Sequence, residues 1–176
     1  MPRYAIPVTD IAPPARLAKL PEELVGSSTF LLKRLGFAAR ERAIEAYGRL
    51  GLHPYHHAVL ALLDEGSRET QGAIADALGY DRGQLVGLLD ELEQRDLIAR
   101  RRDPADRRRH TVHLTPSGKA TLAELRSLAS GLEDDFLAPL DDAQRAQLHA
   151  ILLRLAGRHV RPITGPPPLS GEPAGS

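Results

Sequence analysis

Residues 100 to 109 read RRRDPADRRR, six arginines against two aspartates. The chain as a whole is neutral, with 23 lysines and arginines balancing 23 aspartates and glutamates. Net neutrality excludes a generally polycationic protein, so any nucleic-acid or membrane surface must be local. Cations crowded on one turn repel each other, and the arrangement becomes sensible beside a polyanion. One arginine at the tip of such a turn can enter a minor groove, where narrow A·T tracts deepen the negative potential. Arg107, Arg108 and Arg109 are the candidates for that contact. Asp106 suits a brace that holds a guanidinium by a bidentate pair. Arg100, Arg101 and Arg102 suit flanking phosphates. The competing reading is a solvated basic turn.

A second constellation precedes it. In DRGQLVGLLDELEQ, Leu85, Leu88, Leu89 and Leu92 recur at helical spacing. The opposite strip then carries Gly83, Gly87, Asp90 and Gln94. Each glycine on an exposed helix face costs roughly 1 kcal/mol against alanine. Close approach of the backbone to DNA is one reason to keep them; drift on a solvated face is the other reading. Arg82, Gln84 and Val86 flank the strip near its start. Arginine can read guanine, glutamine adenine, and an apolar side chain a thymine methyl. Asp81 completes the set as the N-cap.

The histidines form a third group. His53, His56 and His57 lie beside Tyr55, and His110 and His113 lie further on. Neutral imidazoles can bind zinc, normally with carboxylate or thiolate ligands at compatible spacing. Adjacent residues such as His56 and His57 diverge by about 100° on a helix, and His110 and His113 face opposite sides of a strand. No metal site or cofactor is therefore expected. His53, Tyr55, His56 and His57 are candidates for a small-molecule pocket, against the simpler reading that they are packed and satisfied. The chain has no cysteine, which excludes a disulfide framework, a thiolate metal site and a thiol switch. There is no nucleophile–base constellation, glycine-rich phosphate loop or carboxylate pair in an identifiable cleft. Asp134-Asp135 and Asp141-Asp142 read as solvated helix ends. An enzyme is not expected.

The elements that must position these groups can be read from punctuation and periodicity. Ten of the fourteen prolines lie at the two ends. Residues 1–20 read as an extended arm and 161–176 as a Pro/Gly-rich disordered tail. Neither a signal peptide nor a membrane span is visible, so a soluble cytoplasmic protein without a membrane partner is expected. Pro21 opens a long helix carrying Leu24, Leu31, Leu35, Ala38 and Ile44, ended by Gly48 and Gly51. A second helix runs from Pro54 to Gly66, a third from Thr70 to Leu78, and Gly79 makes a tight turn into a fourth. Strands at 97–102 and 110–115 flank the arginine-rich turn. A fifth helix starts at Thr115-Pro116 with Leu122, Leu125, Leu128, Leu132 and Phe136, and a sixth covers 142–158. The fold class is mainly α with a small β-hairpin wing, a winged helix-turn-helix over 53–115. The helices over 21–52 and 116–160 carry apolar stripes too broad for that small module. Pairing with a second copy is the economical cover.

ARRRDPADRRRHTVHLTPSG resembles the wing signature of the MarR family of bacterial transcription regulators, a D-x-R element followed by an alternating strand ending in LT-x-x-G. Asp106 and Arg108 match the pair; Val112, Leu114, Thr115 and Gly118 match the remainder. QGAIADALGYDRGQLVGLLDELEQRDLIARR resembles the family's helix-turn-helix and following strand. The resemblance covers about residues 24 to 158. It implies a homodimer on double-stranded DNA, bound to a pseudo-palindromic operator and usually a repressor released by a small molecule. It makes Arg108 the minor-groove arginine and Asp106 its brace. It also implies a pocket near helices one, two and five, where a phenolic carboxylate would find hydrogen-bond donors. The family usually opens its second helix with Leu-Thr and an aromatic near the first turn. Here LHPYHH puts His53 at the cap and His57 at the aromatic position, so relatives' ligand contacts do not carry over. A metal-responsive regulator of this fold is one alternative. A winged helix serving protein interaction is another, but it should have lost the arginine-rich turn.

Overall fold

The computed structural model describes residues 17, 19–66, 70–102 and 110–159. The chain divides between Arg42 and Ala43 into two units. In the first, the long helix expected from Pro21 is broken. A single turn, α1 (Glu22–Val25), ends at Gly26, and α2 (Ser28–Gly48) starts afresh. The Ser27 hydroxyl accepts the Phe30 N–H at 3.3 Å, serving the new helix start as a serine cap does. Periodicity alone hid that break, because the apolar spacing continues across it.

The second unit holds the winged module. Helix α3 (Pro54–Asp64) is followed by α4 (Gln71–Leu78) and α5 (Arg82–Gln94). Each start is set by a side chain. His53 Nδ1 accepts the Tyr55 N–H, and His56 Nδ1 accepts the His53 N–H, a capping box built from imidazoles. Thr70 caps α4 through Ala73, and Asp81 caps α5 through Gly83 and Gln84. Between α4 and α5 the chain turns at Gly79, whose φ of 65° is left-handed and costs a glycine nothing.

Strands β1 (Ile98–Arg102) and β2 (His110–Leu114) form one antiparallel hairpin, with Ile98 opposite Leu114 and Arg102 opposite His110. Each is one residue shorter at its base than expected. Leu97 and Thr115 leave the ladder to bond each other, the Leu97 carbonyl accepting the Thr115 N–H. Helices α6 (Pro116–Phe136) and α7 (Asp142–His159) follow the hairpin.

One core serves this unit. Val59 and Leu60 from α3, Ile74 from α4, Leu85, Leu89 and Leu92 from α5, Ile98 and Val112 from the hairpin are all buried. Leu122 and Leu125 of α6 join them. The first half of α6 packs against α3 and β2 and belongs to the winged module. Helix α7 instead leaves Ile151, Leu152, Leu153 and Leu155 exposed. Among the described residues no helix is long and apolar enough to cross a membrane.

Candidate nucleic-acid interface

The base of the hairpin is fixed where β2 passes into α6. The Thr115 hydroxyl donates to the Asp96 carbonyl and accepts the Gly118 N–H at 2.9 Å. Gly118 is buried, and a Cβ there would collide with the Leu97 carbonyl. The LT-x-x-G motif is thus a joint that lets α6 start flush against the strand. Asp96, with φ of 55°, supplies the left-handed turn that feeds β1.

Helix α5 presents two faces. Leu85, Leu88, Leu89 and Leu92 lie inward, as their spacing predicts. Arg82, Gly83, Gln84, Val86 and Gly87 are exposed, and Asp81 beside them is occupied as the cap. The two glycines differ. A Cβ on Gly83 would crowd the Asp81 carboxylate at 3.1 Å, so its own cap explains it. A Cβ on Gly87 would meet nothing within 4 Å. No internal contact accounts for Gly87, and an external one would.

The hairpin arginines also separate. Arg101 and Arg102 are exposed on β1. Asp106, Arg107, Arg108 and Arg109 lie outside the described residues. Arg100, expected at a flanking phosphate, is engaged within the chain. Its Nη1 donates to Glu93 Oε2 at 2.7 Å, and its main-chain N–H donates to Glu93 Oε1 at 3.1 Å. Its Nη2 lies 2.6 Å from Asp90 Oδ1, an ion contact not aligned as a hydrogen bond. The pattern of α5 placed Asp90 on the outward strip, and nothing local marked its partner Arg100 on the next element.

The histidines separate as well. His56 is buried, with Nε2 3.0 Å from Glu91 Oε2 but out of hydrogen-bond alignment. Burial pushes its pKa below the ordinary value, with Glu91 opposing and His53 and Arg95 reinforcing the shift. The neutral ring accepts the His53 N–H at Nδ1 and so carries its proton on Nε2, toward Glu91. His57 turns elsewhere. Its Nδ1 lies 2.7 Å from the hydroxyl of buried Tyr47. Its pKa is lowered by burial and then by Arg126, which pairs with Asp64. Tyr47 escaped sequence reasoning, because ten residues and a turn separate it from His57. Tyr55 packs edge-on to Tyr80 at 5.3 Å, where burial raises the Tyr80 phenol to about 12. His113 Nε2 lies 2.9 Å from the Thr111 hydroxyl. His53 and His56 thus serve the start of α3, Tyr55 packs against Tyr80, and His57 reaches Tyr47.

Residues 50–109 match the model of the MarR family. A putative transcriptional regulatory protein for the hcr operon of Thauera aromatica is 33% identical over 141 residues, covering 76% of this chain and 84% of that protein. The chain belongs to the MarR family. This regulator is also similar to the Escherichia coli O111:H- transcriptional regulator HosA, at 30% identity over 92 residues, 52% of this chain and 67% of HosA. The transcriptional repressor CouR bound to a 23-mer DNA duplex superposes with a TM-score of 0.69 at 36% identity, over 77% of this chain and 96% of that one. CouR from Rhodococcus jostii RHA1 bound to p-coumaroyl-CoA gives 0.65 at 28% identity, over 78% and 97%. This MarR-family member is accordingly a DNA-binding transcription regulator with a hairpin wing, from a family of regulators and not of enzymes.

Proposed function

We propose that the chain acts as a paired repressor. Two copies place their α5 helices in major-groove positions of a pseudo-palindromic operator one helical turn apart, about 34 Å. Arg82, Gln84, Val86 and Gly87 face base edges. Arg101, Arg102, Arg107 and Arg109 serve phosphates, and Arg108, braced by Asp106, enters the minor groove. The observation that carries this reading is the open space over Gly87, next to exposed Arg82, Gln84 and Val86. Pairing is supported by the uncovered apolar side chains of α7 and by Leu32, Leu35 and Phe37 of α2. Exposed apolar side chains on either helix are the kind that mark an interaction surface.

A phenolic acid or its coenzyme A thioester is the proposed releasing ligand. CouR bound to p-coumaroyl-CoA supports that choice. Of the four residues assigned to a pocket from sequence, His57 with Tyr47 is retained as the ligand-facing pair. His53 and His56 are committed to the helix cap. Release requires that the ligand favour the free over the DNA-bound arrangement; equal affinity for both shifts nothing.

A gel-shift on DNA flanking the chain's own promoter, titrated with p-coumaroyl-CoA, p-coumarate and coenzyme A, tests both parts. A discrete shift reversed by the thioester or the acid, and not by coenzyme A, is expected. Arg108→Ala should weaken binding more than about ten-fold while pairing persists, since ten-fold equals 1.4 kcal/mol in the range of one good groove contact. With about six phosphate contacts, log affinity should fall against log salt with a slope near −5. A flat salt response contradicts the assignment of the arginines.

A further inference from the structure

We propose that Arg100 is a positioning residue. It locks the hairpin to the reading helix at the angle DNA binding requires, and acts through Asp90 and Glu93 instead of through phosphate. The inference rests on α5 and the hairpin being the DNA-contacting elements.

Three observations carry it. First, Asp90 and Glu93 are three residues apart and therefore neighbours on one side of α5. Arg100 spans both with one guanidinium, at 2.6 Å and 2.7 Å. Second, Glu93 holds the Arg100 main chain as well as its side chain. The contact therefore fixes backbone to helix, not merely one flexible side chain to another. Third, Arg100 stands opposite Val112 in the ladder, and Val112 is fully buried. The strand cannot slip by one residue without turning Val112 out of the core. The latch thus sits at a point of the hairpin whose register is already fixed, and what remains for it to set is the angle to α5.

Charge supports the same assignment. Two carboxylates on the outer side of a helix that approaches phosphates oppose binding if left bare. Arg100 is only 20% exposed in its side chain, while Asp90 and Glu93 are 48% and 39% exposed. The guanidinium is turned into the protein, and the acids form its outer cover. That arrangement suits an internal tie and withdraws Asp90 from base reading. It also separates Arg100 from Arg101 and Arg102, which are exposed on the same strand.

The test exploits opposite signs. In the full chain, D90N/E93Q removes two negative charges per copy from a surface facing a polyanion. If Arg100 served phosphate, that variant would bind operator as well or better. As a latch partner it should bind at least ten-fold more weakly at a temperature where circular dichroism shows the variant still folded. Arg100→Ala should lose as much, and R100A/D90N/E93Q no more than either. Arg100→Lys, which reaches one carboxylate at a time, should fall between. Should Arg100→Ala fail to fold, D90N/E93Q still decides, since both acids are partly exposed. Unchanged or tighter binding by D90N/E93Q, or a full Arg100→Ala loss in that background, overturns the proposal. Arg108→Ala is the separating control. If it weakens binding and D90N/E93Q does not, only the latch fails; if neither does, the interface assignment itself fails.

Discussion

Helices α6 and α7 are both built on leucines at helical spacing, yet they end in different surroundings. Leu122 and Leu125 of α6 are 1% and 0% exposed, while Ile151, Leu152 and Leu155 of α7 are 38%, 40% and 41% exposed. The difference begins at the first turn of α6. Thr115 and Gly118 press that turn against the strand base, so the next two turns fall onto α3 and β2. An apolar stripe states that a helix must be covered; the anchor at its end decides by what. The same contrast recurs on a smaller scale between Gly83 and Gly87, one with an internal reason and one without, and between His56 and His57, neighbours that serve different partners.

The largest expected effect lies on the α6 side. Leu125→Ala should cost about 2–5 kcal/mol in chemical denaturation, the range for emptying a well-packed leucine site. Leu152→Ser should instead leave the winged module folded and shift the molecule from paired to single copies in light scattering. If Leu152→Ser unfolds the chain as Leu125→Ala does, the two helices are not distinguished in the way described.

The anchor itself comes next. Gly118→Ala forces the Leu97 carbonyl and the strand base to move and should cost about 1–3 kcal/mol, as overpacking does. A neutral result there would mean that the joint yields freely. Smaller still is the expected response at Gly87. Alanine should stabilise the helix by about 1 kcal/mol while weakening operator binding. Gly83→Ala should show little of that gain, since it crowds the Asp81 cap. Gains in both stability and binding at Gly87 would remove the close-approach reading.

The gentlest effect is pH dependence. His56 and His57 both have folded pKa values below their ordinary value of 6.5. The unfolded chain therefore binds protons more readily than the folded one in this window. Stability is complete above pH 6.5 and is lost as pH falls through the depressed values. Protonated His56 also cannot accept the His53 N–H, so the α3 cap should open with it. Denaturation midpoints measured from pH 7.5 to 5 should fall, and His56→Asn should flatten part of that slope. Stability that rises on acidification would contradict the burial argument.

Much of the fold was legible because its signals are local. Asp81, Thr115 and Gly79 announce a cap, a cap and a turn by chemistry confined to four or five residues. The inward leucines of α5 follow from period alone. His53 was placed at the cap position by comparing LHPYHH with the family's usual Leu-Thr opening, and it caps α3. The break at Gly26-Ser27 was not legible, since the apolar spacing runs through it. Nor were the partners of Arg100 and His57, because Asp90, Glu93 and Tyr47 meet them across turns whose angle no local pattern records. Arg100 is the residue of the run whose intramolecular partners the sequence did not reveal. Its composition matched five other arginines, and only its orientation set it apart.

From α3 onward the amino-acid order alone settled which segments are helices and where the hairpin strands lie, because backbone preference and side-chain period act over a few residues. Only the folded arrangement decided which arginine turns inward, which glycine is free to meet a ligand, and which apolar stripe is covered. Those outcomes depend on distances between elements remote in the chain, where Coulomb attraction and exclusion of overlapping atoms act through space and leave no mark on neighbouring residues.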